Sequence, residues 1–184
     1  MVKQNLLLFI GSLLFLTSCG GWSAKNWARG KDILIIGSGP STKHYKDEII
    51  RYIERKKPVV LCLNINEIFP ENLVTAYVAC HESRILIESD RYSSLNKPII
   101  LPLGSLPEEL KKILSDINIL DYGLRIKEGG FEILDNGCVL NSALAFTYAI
   151  SVASASGAKQ ILLTGIDGYE KSDSRQLEMI DSLE

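Results

Sequence analysis

The fold of this chain is decided by the ten residues 32–41, which read DILIIGSGPS. Residues 32–36 form a short, continuously apolar and β-branched run, which is typical of a parallel strand buried on both faces. The glycines of GSGPS then turn the chain, and from Ser41 onward the apolar residues recur at helical spacing. A buried strand, a glycine turn and a helix in this order predict one unit of an α/β sheet.

The same alternation continues along the chain. Strands are predicted at Val59–Leu63, Val74–Cys80, Pro98–Leu103 and Gln160–Gly165. Helices are predicted from Ser41 to the cations before Pro58, from Leu106 to Leu114 and from Val139 to Ser156, with 115–134 as a loop holding one or two short strands. We therefore expect a three-layer, Rossmann-like α/β domain with a mainly parallel sheet over residues 30–184.

The composition excludes several classes of protein. Apolar residues make up 46% of the 184, which is enough for a sizeable core and argues against a disordered chain. Twenty basic residues face 22 acidic ones, so no basic field favours nucleic acid. The four cysteines form no C-x-x-C pair and only two histidines occur, so we expect neither a structural metal site nor a disulfide framework.

The N-terminal residues 1–19 are set apart from the domain. Their apolar run, Leu6–Leu16, is too short for the roughly 20 residues that span a membrane, and it has the proportions of a signal peptide. The following LTSC resembles a bacterial lipobox, which makes Cys19 the candidate for lipidation and membrane anchoring. If the lipobox is used, the protein is lipid-anchored at a membrane surface; otherwise it is cytoplasmic. A strand left from a longer protein is the alternative, and residues 20–29 are expected to be a linker.

Ligands of open parallel sheets bind beyond the carboxyl ends of the strands, where the strand order reverses. There the glycine turn presents backbone N–H groups to an anion, and Asn64 and Asp167 each follow a predicted strand. We expect a phosphate over the turn, a base or ribose near Asn64 and a sugar near Asp167. The candidate ligand-binding residues are Gly37, Ser38, Gly39, Pro40, Ser41, Asn64, Gly165 and Asp167. For each of them a purely structural role in a turn is the alternative.

The turn differs from a dinucleotide fingerprint. Thr42 stands where G-x-G-x-x-G has its third glycine, and the second strand ends in Asn64 rather than in an acidic residue. NAD and FAD are therefore disfavoured, and no cofactor is firmly implied beyond a nucleotide or nucleotide-sugar. His81 and Asp167 are the candidate bases, although His81 also fits an ordinary polar loop. His44 is assigned no role, and the apolar surroundings of Cys62 and Cys80 favour core packing.

Several motifs in order resemble a known Rossmann-like clan. They are GSGPS (37–41), Asn64, DNGCVL (135–140), GIDGY (165–169) and DSRQLEM (173–179). The set is similar to the C-terminal domain of 4-hydroxy-2-oxovalerate aldolase-like proteins from surface-polysaccharide clusters. The wider clan includes bacterial sialyltransferases that use CMP-sugars, 6-hydroxymethylpterin pyrophosphokinase-like proteins and flagellin-modification accessory proteins. The resemblance implies a nucleotide-binding domain that serves surface-glycan biosynthesis.

The motifs that this sequence shares with the clan are binding positions, and the catalytic residues of the related proteins are missing from it. The aldolase barrel precedes this domain in the family, and 184 residues leave no room for it. The catalytic histidine of the sialyltransferases follows their Gly-Ile-Asp motif, whereas this sequence has no histidine after Asp167. We therefore expect a binding module beside a separate catalytic aldolase subunit, from a truncated or split gene. The alternatives are a self-contained transferase that uses His81 or Asp167, and an inert surface lipoprotein.

Overall fold

A computed structural model describes residues 19–168 of the protein. Its main sheet has six strands, all parallel: β1 (Asp32–Ile36), β2 (Val59–Leu63), β3 (Ala76–Val78), β4 (Ile99–Leu101), β5 (Ile119–Asp121) and β9 (Gln160–Thr164). Their order across the sheet is β5-β4-β3-β2-β1-β9. The chain thus moves outward from β1 to β5 and then returns to the other side of β1 with β9. This reversal places the topological switch point between β1 and β9.

Helices and a small second sheet cover the two faces of the main sheet. The helices are α1 (Pro40–His44), α2 (Lys46–Lys56), α3 (Glu82–Tyr92), α4 (Glu108–Ile113) and α5 (Ala145–Ala155). The second sheet has the order β6-β8-β7, with β6 (Gly123–Ile126), β7 (Glu132–Leu134) and β8 (Gly137–Leu140). The prediction of a three-layer, Rossmann-like α/β fold with a mainly parallel sheet is confirmed.

Alternate residues of the strands point to two separate cores. On β1, Leu34 and Ile36 pack with side chains of α2, α3 and α4. Ile33 and Ile35 pack on the opposite face with α5 and the second sheet. Because both faces are covered, every residue of β2 is buried, which explains why its sequence VVLCL is apolar throughout.

Several predicted boundaries are wrong. The strand predicted at Val74–Cys80 is only Ala76–Val78, and the one at Pro98–Leu103 is only Ile99–Leu101, because few of their residues pair with neighbours. The predicted helix after Ser41 is two helices that meet at Tyr45. Its N-cap is Gly39, because Pro40 with its fixed φ occupies the first helical position.

The largest error concerns the predicted helix Val139–Ser156. Val139 and Leu140 belong to β8, and the helix begins only at Ala145. A short apolar run fits a buried strand and a buried helix equally well. Here Val139 and Leu140 form a strand because β8 pairs with β6 and β7. The region 115–134 holds three strands rather than one or two, and the helix α3 was not predicted.

The segment 20–29, expected to be a linker, is packed onto the domain. Ala24 and Ala28 are fully buried, and Trp22 and Trp27 pack against the same core as α5. Backbone hydrogen bonds join Trp22 to Asp121 and neighbouring residues to 135–136. The two tryptophans supply the apolar area that holds the segment in place. The run Leu6–Leu16 and the tail from Tyr169 onward lie outside the described residues.

Candidate functional site

Two glycine turns meet at the switch point. The turn after β1 donates from Gly37 N to the carbonyl of Thr164 at 2.9 Å and from Gly39 N to the carbonyl of Gly165 at 2.9 Å. These bonds continue the β1–β9 ladder beyond the strand ends. The turn after β9 therefore lies directly against the turn in which the sequence predicts a phosphate site.

The glycines are required by this close approach. A Cβ on Gly37 would lie 2.3 Å from the carbonyl oxygen of Gly165, and one on Gly39 would lie 2.5 Å from Oδ1 of Asp167. Gly165 has φ +68, and its Cβ would lie 1.8 Å from Oγ1 of Thr42. All three glycines thus have a structural reason to be present, independent of any ligand.

Asp167 closes the N-terminus of α1. Its Oδ1 accepts a hydrogen bond from the Ser41 hydroxyl at 2.5 Å, and its Oδ2 accepts one from the Ser41 N–H at 2.9 Å. The Ser41 hydroxyl, and to a lesser extent its N–H, lower the pKa of the Asp167 carboxyl, because both donate to the charged form. The helix start that was expected to receive a phosphate already holds the carboxylate of this side chain.

A cleft opens beside this closed turn, over the carboxyl ends of β1 and β2. Its volume is about 750 Å³. Helix α1 forms one wall, α3 forms the other, and the loop after β2 completes it. The residues that line it are Ser38, Gly39, Pro40, Lys43, His44, Asn64, Ile65, Asn66, Glu67, Ile68, Arg84, Glu88 and Arg91. A cleft of this size lies within the range of small-molecule sites.

The structure divides the eight predicted ligand-binding residues into two groups. The first group lines the cleft: Ser38, Gly39, Pro40 and Asn64. The second group forms the contact between the two turns beside it: Gly37, Ser41, Gly165 and Asp167. Their roles toward a ligand stay predictions; the first group faces the cleft, and the second group is not part of its lining.

Two asparagines after β2 have different tasks. Asn64 adopts a left-handed backbone with φ 54, and its N–H donates to the carbonyl of Val78 at 2.8 Å. Its side-chain amide has no hydrogen-bond partner within residues 19–168. Asn66 is 5% exposed, donates from Nδ2 to the carbonyl of Gly37 at 3.3 Å, and accepts from Ile68 N at 2.9 Å. Asn66 therefore fixes the loop, whereas the amide of Asn64 is available to a ligand.

Charged side chains dominate the α3 wall. Arg91 is paired with Glu67 at the rim, and Arg84 Nη1 lies 3.7 Å from Oε1 of Glu88. Glu88 is 5% exposed, and its Oε2 accepts from Ile65 N and from the Tyr92 hydroxyl, each at 3.3 Å. Two basic side chains thus point toward the cleft from one helix.

The catalytic candidates do not lie free in this cleft. His81 is exposed at the start of α3, and its Nδ1 is 2.9 Å from the Ser83 hydroxyl. It is not among the residues that line the cleft. Asp167 is held by Ser41. His44, which was assigned no role, does line the cleft and packs edge-on against Tyr45.

Three of the cysteines in residues 19–168 belong to the core. Cys62, Cys80 and Cys138 are buried, and burial raises the pKa of each thiol to about 12. Cys19 is partly exposed and immediately precedes the packed segment 20–28. Residues 19–168 contain no cluster of acidic, histidine or cysteine side chains that could hold a metal ion. Over the same residues, no helix is long and apolar enough to cross a membrane.

Comparison with protein-family models, with curated proteins and with solved structures finds no match to this chain. The resemblance to the aldolase-associated domains therefore stays a prediction that rests on the motifs alone.

Sequence reasoning missed the basic residues of the cleft. Lys43, Arg84 and Arg91 look like ordinary surface charges, because they belong to two helices separated by β2 and β3. One signal was available: Arg84 follows His81 by three residues, close behind the predicted end of a strand. That position is where side chains of an α/β domain reach the ligand edge.

Proposed function

We propose that this protein binds a nucleotide or a nucleotide-sugar in the cleft between α1 and α3. The observation that carries the proposal is the cleft of about 750 Å³ at the carboxyl ends of β1 and β2, beside the switch point. Open parallel sheets bind their ligands in this region because loops and helix starts converge there.

The chemistry of the lining supports a nucleotide. Lys43, Arg84 and Arg91 offer cationic groups for phosphates, since guanidinium and ammonium groups pair with phosphoryl oxygens. The unpartnered amide of Asn64 offers both a donor and an acceptor to a base or a ribose. These groups lie on different walls, so one molecule with a charged end and a polar end would engage both.

We propose a binding module rather than a self-contained transferase. Neither candidate base is free within the cleft, since His81 lies outside its lining and Asp167 is engaged by Ser41. The resemblance to domains of surface-polysaccharide clusters adds the biological setting, which is glycan biosynthesis beside a separate catalytic aldolase subunit. It also makes UDP- and CMP-sugars the first ligands to test.

The test is a thermal-shift screen of the full chain against UDP, CMP, UDP-glucose and CMP-sialic acid, followed by calorimetry. A ligand at 100 times its Kd stabilises by about 2.7 kcal/mol, which raises Tm by about 5–10 °C for a domain of this size. A shift for one nucleotide family supports the proposal. No shift with any of them at millimolar concentration contradicts it, and steady release of UDP or CMP from the sugar donors would favour the transferase instead.

A matched pair of variants locates the ligand. Asn64→Gly removes the amide but keeps the left-handed backbone accessible, and it should lower affinity by about 1–3 kcal/mol. Asn26→Gly makes the same change at φ 63 outside the cleft lining and should bind like wild type. Equal affinity of the two variants would place the ligand away from Asn64.

A further inference from the structure

We propose that the phosphoryl group of the ligand binds between Lys43 of α1 and Arg84 of α3, and not at the glycine turn. This inference rests on the proposed function, because it assigns one end of the same ligand. It replaces the expectation that the GSGPS turn cradles the phosphate.

Most donors of the glycine turn are already used, and of its residues only Ser38 keeps an N–H and a hydroxyl without a partner in residues 19–168. Gly37 N and Gly39 N donate to the carbonyls of the β9 turn, and the N–H and hydroxyl of Ser41 donate to Asp167. The carboxylate of Asp167 also repels a second anion at this point. A phosphate held by several backbone N–H groups of this turn would have to displace contacts that hold two strands of the main sheet together, since Ser38 alone offers free donors.

Lys43 carries a charge that the described residues do not neutralise. It lies on α1, lines the cleft and is exposed, and within residues 19–168 it forms no ion pair. The other cleft-facing cations differ in this respect. Arg91 forms an ion pair with Glu67. Lys43 is therefore the cation that gains most from an incoming anion.

Arg84 is positioned but only weakly neutralised. Its Nη1 lies 3.7 Å from Glu88, which is longer than a charge-assisted hydrogen bond, and one third of its side chain is exposed. Glu88 cannot move closer without loss, because its other oxygen accepts from Ile65 N and Tyr92 Oη. Glu88 thus holds the guanidinium at the cleft wall while leaving several N–H donors for a phosphoryl group.

The two cations approach the cleft from opposite walls. A phosphoryl group between them would receive a point charge from Lys43 and directed N–H donors from Arg84, which suits its several oxygens. Asn64 lies on the loop between the two helices, where it can reach the ribose or base of the same molecule. The class of ligand is therefore a phosphorylated nucleoside rather than a free nucleoside.

The experiment compares Lys43→Met and Arg84→Met with wild type by calorimetry, using UDP, CMP, uridine and cytidine as probes. Lys112→Met is the matched control, because Lys112 is exposed on α4 and outside the cleft lining. We expect each cleft variant to lose about tenfold or more in affinity for the nucleotide that wild type binds, the scale of one charge-assisted hydrogen bond. Nucleoside affinity and the control variant should stay within about twofold of wild type.

The outcomes separate this inference from the proposed function. Nucleotide binding that survives both cleft variants refutes the Lys43–Arg84 subsite and leaves the proposed function intact. Absence of nucleotide binding in wild type refutes both. Lys43→Met removes no ion pair in the described residues. It therefore tests the subsite even if Arg84→Met unfolds because the buried carboxylate of Glu88 has lost its counter-charge.

Discussion

Replacing Gly165 with alanine tests whether the two turns at the switch point touch as closely as described. The new Cβ would lie 1.8 Å from Thr42 Oγ1 and 2.6 Å from the carbonyl oxygen of Gly37, at a residue with φ +68. Two costs therefore add. A left-handed backbone costs an L-residue about 1–2 kcal/mol, and overpacking costs about 1–3 kcal/mol. We expect Gly165→Ala to lower the free energy of unfolding by about 2–5 kcal/mol.

Three further glycines separate the two costs. Gly129 has φ +64 with nothing within 4 Å of an added Cβ, so Gly129→Ala should show the backbone cost alone. Gly37 meets the carbonyl of Gly165 at 2.3 Å without a left-handed φ, so Gly37→Ala should show the steric cost alone. Gly104 has neither a left-handed φ nor an atom within 4 Å of an added Cβ. The free energy of unfolding of Gly104→Ala should therefore stay within about 0.5 kcal/mol of wild type.

The assay is equilibrium urea unfolding of the four variants and wild type, monitored by tryptophan fluorescence. We expect the loss of stability to be largest for Gly165→Ala, smaller for Gly37→Ala and Gly129→Ala, and smallest for Gly104→Ala. If Gly165→Ala loses no more stability than Gly129→Ala, the turns are not in close contact, and the conclusion that the β9 turn occupies donors of the glycine turn is wrong. Any valine at Gly39 would meet Asp167 in the same way, so such a variant could not distinguish a lost ligand from a damaged fold.

Three more outcomes are expected. Trp22→Ala should lower the free energy of unfolding by about 2–3 kcal/mol, since the ring is partly buried. Deletion of residues 1–29 should lower it further, and thermal unfolding would measure both changes. NMR titration should show a pKa for Asp167 below the ordinary 3.8, and the Ser41→Ala variant should raise it toward that value. The stability that this contact contributes is present above pH 3.8 and is lost as pH falls through the pKa of the folded protein. Partly exposed Cys19 should react with Ellman's reagent in the folded protein, whereas the buried thiols should react only on unfolding: Cys62, Cys80 and Cys138.

The central strands could be predicted because burial on both faces demands an apolar run. Ile33–Ile36 and Val59–Leu63 show this, and their parallel pairing follows from the helices between them. The helix α3 escaped prediction because its inner face carries Glu88 and Ser89 beside Ile85 and Tyr92. A carboxylate on the buried face weakens the apolar period on which sequence reasoning depends.

The candidate site was predictable only in its location. The edge of the sheet follows from strand direction, and Asn64 was found because it ends a strand. The pairing of Asp167 with Ser41 depends on how closely β9 approaches β1, which no local pattern encodes. Lys43 and Arg84 line the same cleft only after β2 and β3 have taken their places in the sheet.

The packed segment at residues 20–28 has a consequence for the order in which the protein folds. Its backbone partners include Asn136, which lies 116 residues further along the chain. At about 5–20 residues per second of synthesis, these partners leave the ribosome roughly 6–23 s after the segment does. Trp22 and Trp27 therefore lack these partners throughout that interval. Docking of this segment is a late step, and it completes the core only after most of the sheet has been made.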